Sequence, residues 1–318
     1  MVRSQVIILL ICLFSGCSSL VQKVAISETS GLLLKASDEL WQETDLELVE
    51  KGVPGLIKLI EGLHYLEPRN TNLLSSLTKS YAGHGFLTDE TNLISSQLID
   101  EEDEKIKYQL ERNYTKAVAY GFKFLEESGV SVREIRQNIS KPQVIKNLLD
   151  KLSTDKATLE AVFFTGQSLG SLILLNRDDL RMVAQRPLAS SLFEWVCEKD
   201  PNFNVGSCYI FKAMDLSLTP AMLGGDADKG KEYFKQGIKQ FPDNWIIRTA
   251  MLRYHTIPQE DEDEWEEQKR FFIKNKRLFK ESQLYSIDSI SAKNTTALFQ
   301  ALAIKRFDII HSLENEIF

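Results

Sequence analysis

Apolar residues along most of the chain recur every three or four positions, which is the period of one face of an α-helix. Over residues 46–63, for example, they are Leu46, Val49, Val53, Leu56, Ile57, Ile60 and Leu63. The same pattern predicts helices over 101–128, 131–152, 204–218, 226–241, 245–256, 261–279 and 296–313, the last of which is expected to cap the fold. A strongly apolar helix over 158–175 is expected at the centre. Strand signals are scarce, so the sequence predicts an all-α fold.

One spacing of small, aromatic and proline residues occurs twice, with separations of four, three and five residues. The two copies are Ala189, Phe193, Val196, Pro201 and Gly230, Phe234, Gly237, Pro242. A small residue, an aromatic one turn later, and a proline that ends the helix are typical of the second helix of a tetratricopeptide repeat. A degenerate third copy precedes Pro68. We therefore predict stacked antiparallel helical hairpins, a tetratricopeptide-like α-solenoid or bundle.

The distance between the two copies locates an insertion. Pro201 and Pro242 are 41 residues apart, whereas the usual repeat has about 34 residues. The excess equals the length of residues 219–225, Thr-Pro-Ala-Met-Leu-Gly-Gly, which lack a helical pattern. We call this segment the insert loop. Its candidate functional residues are Pro220, Leu223, Gly224 and Gly225.

The N-terminus is predicted to be a bacterial lipoprotein signal peptide over residues 1–16. Arg3 precedes a nine-residue apolar core, too short to span a bilayer, and Ser15-Gly16 lead to Cys17. Acylation of Cys17 would anchor a body that faces the periplasm, and the serines that follow favour the inner leaflet of the outer membrane. The alternatives are a plain secretory signal or a chance cysteine. Residues 17–44 are interpreted as a tether and first helix, and residues 45–318 as a single helical domain.

Charge and composition exclude several kinds of partner and site. The formal net charge is −7, and clustered Lys and Arg residues are lacking, so no nucleic acid is expected to bind. The four histidines, at 64, 84, 255 and 311, have no second ligand at helix spacing and are interpreted as solvent or capping residues. The acidic run over 261–264 lacks the glycine of a calcium loop. No metal or cofactor is predicted.

One catalytic motif occurs, because Gly166-Gln167-Ser168-Leu169-Gly170 fits the nucleophile elbow G-x-S-x-G. That motif requires a parallel sheet and an oxyanion loop, neither of which the pattern predicts. Small residues on a packed helix face, where a neighbour approaches closely, are the favoured interpretation. The chain is therefore not predicted to be an enzyme, and a serine hydrolase that uses Ser168 is the less favoured alternative.

Two cysteines remain in the predicted mature chain, Cys197 and Cys208, on either side of the turn at Pro201. An oxidising periplasm would permit a disulfide between them. Helix axes lie about 8–10 Å apart, so a bridge needs favourable facing of the two side chains. Two small core residues are slightly favoured over the disulfide.

Several segments resemble, in order, the T component of TRAP transporters, a family of periplasmic lipoproteins. They are residues 45–63, residues 70–85 with Tyr81-Ala82-Gly83, Asp200-Pro201-Asn202-Phe203, Gly206, the insert loop from Pro220 to Gly225, and residues 229–234. The Leu-Gly-Gly of the insert loop is the most specific part. Residues 86–110 and 280–318 match poorly.

The resemblance implies an all-α body of tetratricopeptide-like hairpins and a homotrimer with a central channel. It also implies docking of a periplasmic solute-binding protein and a role in handling apolar ligands, and it carries over no catalytic residues. The leading hypothesis is therefore a lipid-anchored binding or scaffold protein of a TRAP-type transport system. A generic envelope assembly scaffold without a transport role is the alternative.

Overall fold

The structure is a computed structural model that describes residues 21–101, 103–285 and 296–318. Within this part of the chain, all regular elements are helical, and the predicted all-α fold is confirmed. In chain order the helices are α1 (21–36), α2 (Leu46–Leu66), α3 (Thr71–His84), α4 (Glu90–Leu98), α5 (Glu104–Glu127), α6 (Val132–Gln137), α7 (Pro142–Leu149), α8 (Lys156–Leu175), α9 (Leu180–Val183), α10 (Arg186–Lys199), α11 (Phe203–Leu218), α12 (Ala227–Gln240), α13 (Ile246–Met251), α14 (Glu262–Tyr285), α15 (Ala297–Ser312) and α16 (Glu314–Ile317).

Short 3₁₀ and π-helical turns connect some of these helices. The 3₁₀ turns span Glu39–Gln42 and Ala221–Leu223, and the π turns span Gly85–Asp89 and Leu252–Thr256. Acidic side chains cap several helices: Asp226, for example, accepts a hydrogen bond from the backbone N–H of Lys229 at 3.0 Å. A cap of this kind stabilises a helix by about 1 kcal/mol.

Helix α8 lies at the centre of the fold, as its apolar pattern predicts, and packs against α3, α5 and α10. Small residues let these helices approach closely. A Cβ atom on Gly121 of α5 would lie 1.7 Å from Oγ1 of Thr165, and one on Gly166 would lie 3.2 Å from Cβ of Leu192 in α10. Among the described residues, α8 alone is long and apolar enough to cross a bilayer, but 72% of that stretch is buried inside the protein. This burial is typical of a core helix.

The duplicated spacing places its small and aromatic residues inside the fold. Phe234 of α12 is fully buried against α11 and α13. Gly230 and Gly237, which flank it by one turn, face Ser217 and Tyr209 of α11 so closely that a Cβ on either would lie within 3 Å of these side chains. In α10, Ala189 and Phe193 are also buried. Both helices end before their prolines, since α10 ends at Lys199 and α12 at Gln240.

The start of α11 differs from the regular helix predicted over 204–218. Asn204, Val205 and Gly206 have φ values of 48°, 52° and 97°, in the left-handed region. A β-branched residue rarely adopts this conformation, and here the buried Asn244 side chain donates to the carbonyl oxygen of Val205 at 2.8 Å. A tertiary hydrogen bond thus supports a backbone kink that helical periodicity does not reveal.

Next to this kink, Cys197 and Cys208 form a disulfide, with their Cα atoms 5.8 Å apart. Sequence analysis slightly favoured two small core residues, because regularly packed helices are too far apart for most bridges. The left-handed residues explain the difference, since the chain between Pro201 and Cys208 is not a regular helix and brings the two sulfur atoms together.

The last long helix, α15, does not act as the cap that we predicted. Most of its side chains are buried, including Leu298, Leu302 and Ile310. It packs against α4, α13 and α14, and Phe299 meets Trp41 with ring centroids 5.0 Å apart. Helix α15 therefore lies between the N-terminal part of the fold and helices α13 and α14.

Candidate ligand cavity

An apolar cavity of about 840 Å³ lies within the helical body. Its wall includes eight Phe, Tyr and Trp residues, among them Trp41, Phe163, Phe193, Phe211 and Phe299. Helices α1, α2, α3, α8, α10, α11, α13 and α15 all contribute to this wall. Pockets that bind small organic molecules typically have volumes of about 300–1,000 Å³ and mostly apolar walls with a few polar groups. The cavity therefore has the size and chemistry of a site for an organic ligand.

The cavity reaches the protein surface beside α2. Leu48 and Leu56 belong to its wall and also have exposed side chains, with 58% of Leu48 accessible. On the adjacent side of α2, Val49 and Val53 belong to the wall but are buried. One side of α2 thus forms the interior of the cavity, and an adjacent side forms its edge.

The insert loop contributes to the cavity as well. Thr219 and Pro220 belong to the wall, whereas Met222 is 90% exposed. Arg186 of α10 donates to Asp215 at 2.7 Å and also to the hydroxyl of Thr219. These bonds connect the start of the insert loop to α10 and α11.

The two glycines of the insert loop meet different structural requirements. Gly224 has a φ of +93°, which strongly favours glycine. A Cβ on Gly225 would lie 1.7 Å from the backbone oxygen of Thr219, because the loop folds back on its own first residue. Gly225 N–H donates to Pro220 O at 3.2 Å, and Asp226 N–H donates to Leu216 O at 2.9 Å.

Replacement of Gly225 by valine should therefore distort the insert loop. We expect the Gly225→Val protein to lose about 2 kcal/mol or more of unfolding free energy, because the new Cβ meets backbone that cannot rotate away. Urea unfolding and limited proteolysis at the insert loop measure the effect. Gly55→Val is the matched control, since nothing lies within 4 Å of a Cβ at that exposed helical position. Equal stability and equal protease resistance of the two variants would contradict the prediction.

A buried group of charged residues interrupts the apolar wall. Glu90, which opens α4, accepts hydrogen bonds from Arg253 Nη1 at 2.8 Å and from Tyr114 Oη at 2.6 Å. Arg306 of α15 forms a longer ion pair with Glu90, of 3.7 Å. Burial raises the pKa of Glu90, but the charges of Arg253 and Arg306 outweigh this effect, so the pKa lies below its ordinary value. Glu90 is therefore ionised although it is buried.

A comparison with known protein families classifies the chain. A family model described as TRAP transporter T-component matches residues 42–269, which is more than two thirds of the chain. The chain belongs to the TRAP transporter T-component family. In a comparison with curated proteins, no match was found.

The matched region of this T component includes α2 through the start of α14 and the whole insert loop. It does not include α15, which carries Leu298, Phe299 and Arg306 into the cavity wall. One wall of the cavity thus comes from a part of this T component that lies outside the family match.

The structure places Ser168 within α8, fully buried, and residues 161–170 around it are all helical. The strand and the sharp turn of a nucleophile elbow are therefore missing at this motif. Gly166 instead admits Leu192 of α10, in line with the favoured interpretation of small residues on a packed face.

Among the histidines, His255 differs from our interpretation as a solvent or capping residue. It lies in the second π turn, is 3% exposed, and its Nδ1 has no hydrogen-bond partner in the described residues. Burial, reinforced by the charge of Lys231, lowers its pKa, so the ring is neutral. No group of three or more potential metal ligands occurs within residues 21–101, 103–285 and 296–318. Cys17 and the predicted signal peptide lie outside the described residues.

No pattern in the sequence predicted Glu90, Arg253 or Arg306 as residues of a site. Glu90 and Arg253 are 163 positions apart, so no local motif connects them. The sequence of α15 does contain a signal for Arg306. Leu298, Leu302 and Ile310 recur on one face of this helix, and Arg306 occupies the position between Leu302 and Ile310 at the same four-residue spacing. A charged residue on the apolar face of a helix indicates a buried partner or a site.

Proposed function

We propose that this T component is a lipid-anchored periplasmic binding protein that receives an apolar organic ligand in its cavity and docks a solute-binding protein of a TRAP-type transport system. The observation that carries the proposal is the 840 Å³ apolar cavity that opens beside α2. Membership of the family supports the transport role over that of a generic envelope scaffold.

Filling the cavity tests the ligand-binding part of the proposal. Gly83 of α3 belongs to the wall, and nothing lies within 4 Å of a Cβ built there, so Gly83→Phe should place its ring in the cavity. We expect the variant to bind the neutral dye Nile red about tenfold or more weakly than the unmodified protein, measured by dye fluorescence. Gly62→Phe, at an equally open position of α2 outside the wall, is the control. Unchanged dye binding by Gly83→Phe would contradict the proposal.

For the docking surface, we propose a stripe along the exposed side of α2. Its residues follow one another at intervals of four and three positions: Leu48, Gly52, Gly55, Leu59, Gly62 and Leu66. All six are exposed. This is the spacing of the seam by which one helix packs against another, and the glycines leave room for close approach. Leu48 and Gly52 also belong to the cavity wall, so a partner bound here would lie next to the opening through which a ligand passes.

A charge in this stripe should prevent docking. Leu59→Glu is expected to weaken binding to the solute-binding protein of its transport system by about tenfold or more, since it would bury an unpaired carboxylate at the contact. Isothermal titration calorimetry measures the affinity, and unfolding experiments should show little change because the Leu59 side chain is exposed. Leu180→Glu, at an exposed position of α9 outside the stripe, is the control. Equal affinity of the two variants would exclude the stripe.

The anchor and the assembly state complete the proposal. We propose that Cys17 is acylated, that the body faces the periplasm from the inner leaflet of the outer membrane, and that several copies associate, as a trimer by resemblance. Two or three acyl chains suffice for stable membrane binding, at about 0.8 kcal/mol per buried methylene. Recovery of the full-length Cys17→Ser protein in the detergent phase would contradict acylation of Cys17. A monomeric mass in light scattering would contradict the association of several copies.

A further inference from the structure

The charged group in the cavity wall contains more positive than negative charge. Arg253 and Arg306 face one carboxylate, that of Glu90, and no other carboxylate of the described residues lies within 4 Å of either guanidinium. Arg253 and Tyr114 already occupy the oxygens of Glu90 at hydrogen-bond distance. One positive charge is therefore left without close compensation, next to an apolar cavity.

Of these two arginines, Arg306 belongs to the cavity wall, and it is only 4% exposed. Its Nε donates to Thr91 Oγ1 at 3.0 Å, and its Nη2 donates to the carbonyl oxygen of Phe86 at 2.5 Å. The group also lies 4.1 Å from the centre of the Phe86 ring. Nη1 has no hydrogen-bond partner in the described part of the chain, since its ion pair with Glu90 spans 3.7 Å. The guanidinium is thus held in one orientation with donors to spare.

Electrostatics favours an additional anion at this point. Burial lowers the pKa of Arg306, Glu90 counteracts the effect, and the charge of Arg253 strengthens it. A bound anion would stabilise the charged guanidinium and so raise the pKa of Arg306. Arginine binds carboxylates through paired hydrogen bonds, because its planar group presents several donors in a fixed arrangement.

Both π-helical turns of the described chain meet at this group. The turn Gly85–Asp89 supplies Phe86 and leads directly into Glu90, and the turn Leu252–Thr256 contains Arg253 and Tyr254. Turns of this type are rare and occur frequently at functional sites, where they alter the direction of side chains. Their coincidence here is independent of the charge count.

Resting on the proposed ligand-binding function, we infer that the cavity takes an amphiphile with one carboxylate head, which Arg306 binds while the apolar walls surround the chain. Helix α15, which carries Arg306, lies outside residues 42–269 of the family match. The residue proposed to select the head group therefore lies outside the region that the family model matches.

A series of ligands that differ only in the head group tests this inference on the unmodified protein. Displacement of Nile red is measured with dodecanoate, dodecanol and dodecylammonium at neutral pH. Dodecanoate should bind about tenfold or more tightly than dodecanol, and dodecylammonium should bind most weakly. Equal affinities for the acid and the alcohol would overturn the inference and leave the proposed function intact. Failure of all three to displace the dye would overturn both.

Two arginine variants then locate the head group. Arg306→Met should remove the preference for dodecanoate over dodecanol. Arg186→Met is the matched control, because Arg186 also belongs to the wall but is already paired with Asp215 at 2.7 Å. It should keep the preference. A preference for dodecanoate that survives in Arg306→Met, or one that disappears in Arg186→Met, would overturn the assignment to Arg306. Where a variant does not fold, the ligand series on the unmodified protein still tests the preference for a carboxylate head.

Discussion

Replacement of Phe234 by alanine should lower the free energy of unfolding by about 3–5 kcal/mol. The ring is fully buried among Ala213, Ile247 and Met251, between α11 and α13. Its removal takes apolar surface out of the core and leaves a cavity that rigidly packed helices cannot fill. Urea unfolding followed by tryptophan fluorescence measures the change.

The control for Phe234→Ala is an aromatic residue on a helix surface. Tyr65 of α2 is 86% exposed, so Tyr65→Ala should change the unfolding free energy by less than about 0.5 kcal/mol. A shift of the same small size for Phe234→Ala would show that the tetratricopeptide register assigned to α12 is wrong.

Replacement of Glu90 by glutamine should destabilise the protein by a similar amount, about 3–5 kcal/mol. The substitution keeps the size of the side chain but removes the single negative charge that faces Arg253 and Arg306. The Arg306 side chain is buried, and that of Arg253 is largely buried. Two uncompensated cations would then remain inside the protein. Thermal and urea unfolding at neutral pH, where Glu90 is ionised in the native state, measure the loss.

The adjacent residue offers a matched control, because Asp89 is as buried as Glu90. Burial raises the pKa of Asp89 above its ordinary value, whereas the pKa of Glu90 is lowered. The charge of Asp89 is therefore unfavourable in the folded state, and Asp89→Asn retains an oxygen that can accept from Asn113. We expect this variant to be neutral or slightly stabilising. Equal losses for the two variants would show that burial alone, and not the arginine pair, determines the effect.

The fold and the site differ in how much of each could be predicted from the sequence. Helical periodicity predicted the central position of α8, and the distance between Pro201 and Pro242 located the insert loop, since both depend on local spacing. The kink at Asn204–Gly206 escaped prediction, because a hydrogen bond from the distant Asn244 supports it. The disulfide beside it was disfavoured for the same reason.

The sequence by itself determined the helical class, the helix boundaries near prolines and glycines, and the family, because these follow from short-range preferences of neighbouring residues. Only the tertiary structure decided that α15 fills the body instead of capping it, and that Thr219 and Pro220 share a cavity with Trp41. It also decided that Glu90, Arg253 and Arg306 meet. Contacts between residues more than 150 positions apart depend on how whole helices pack, and helix packing leaves no fixed spacing in the chain.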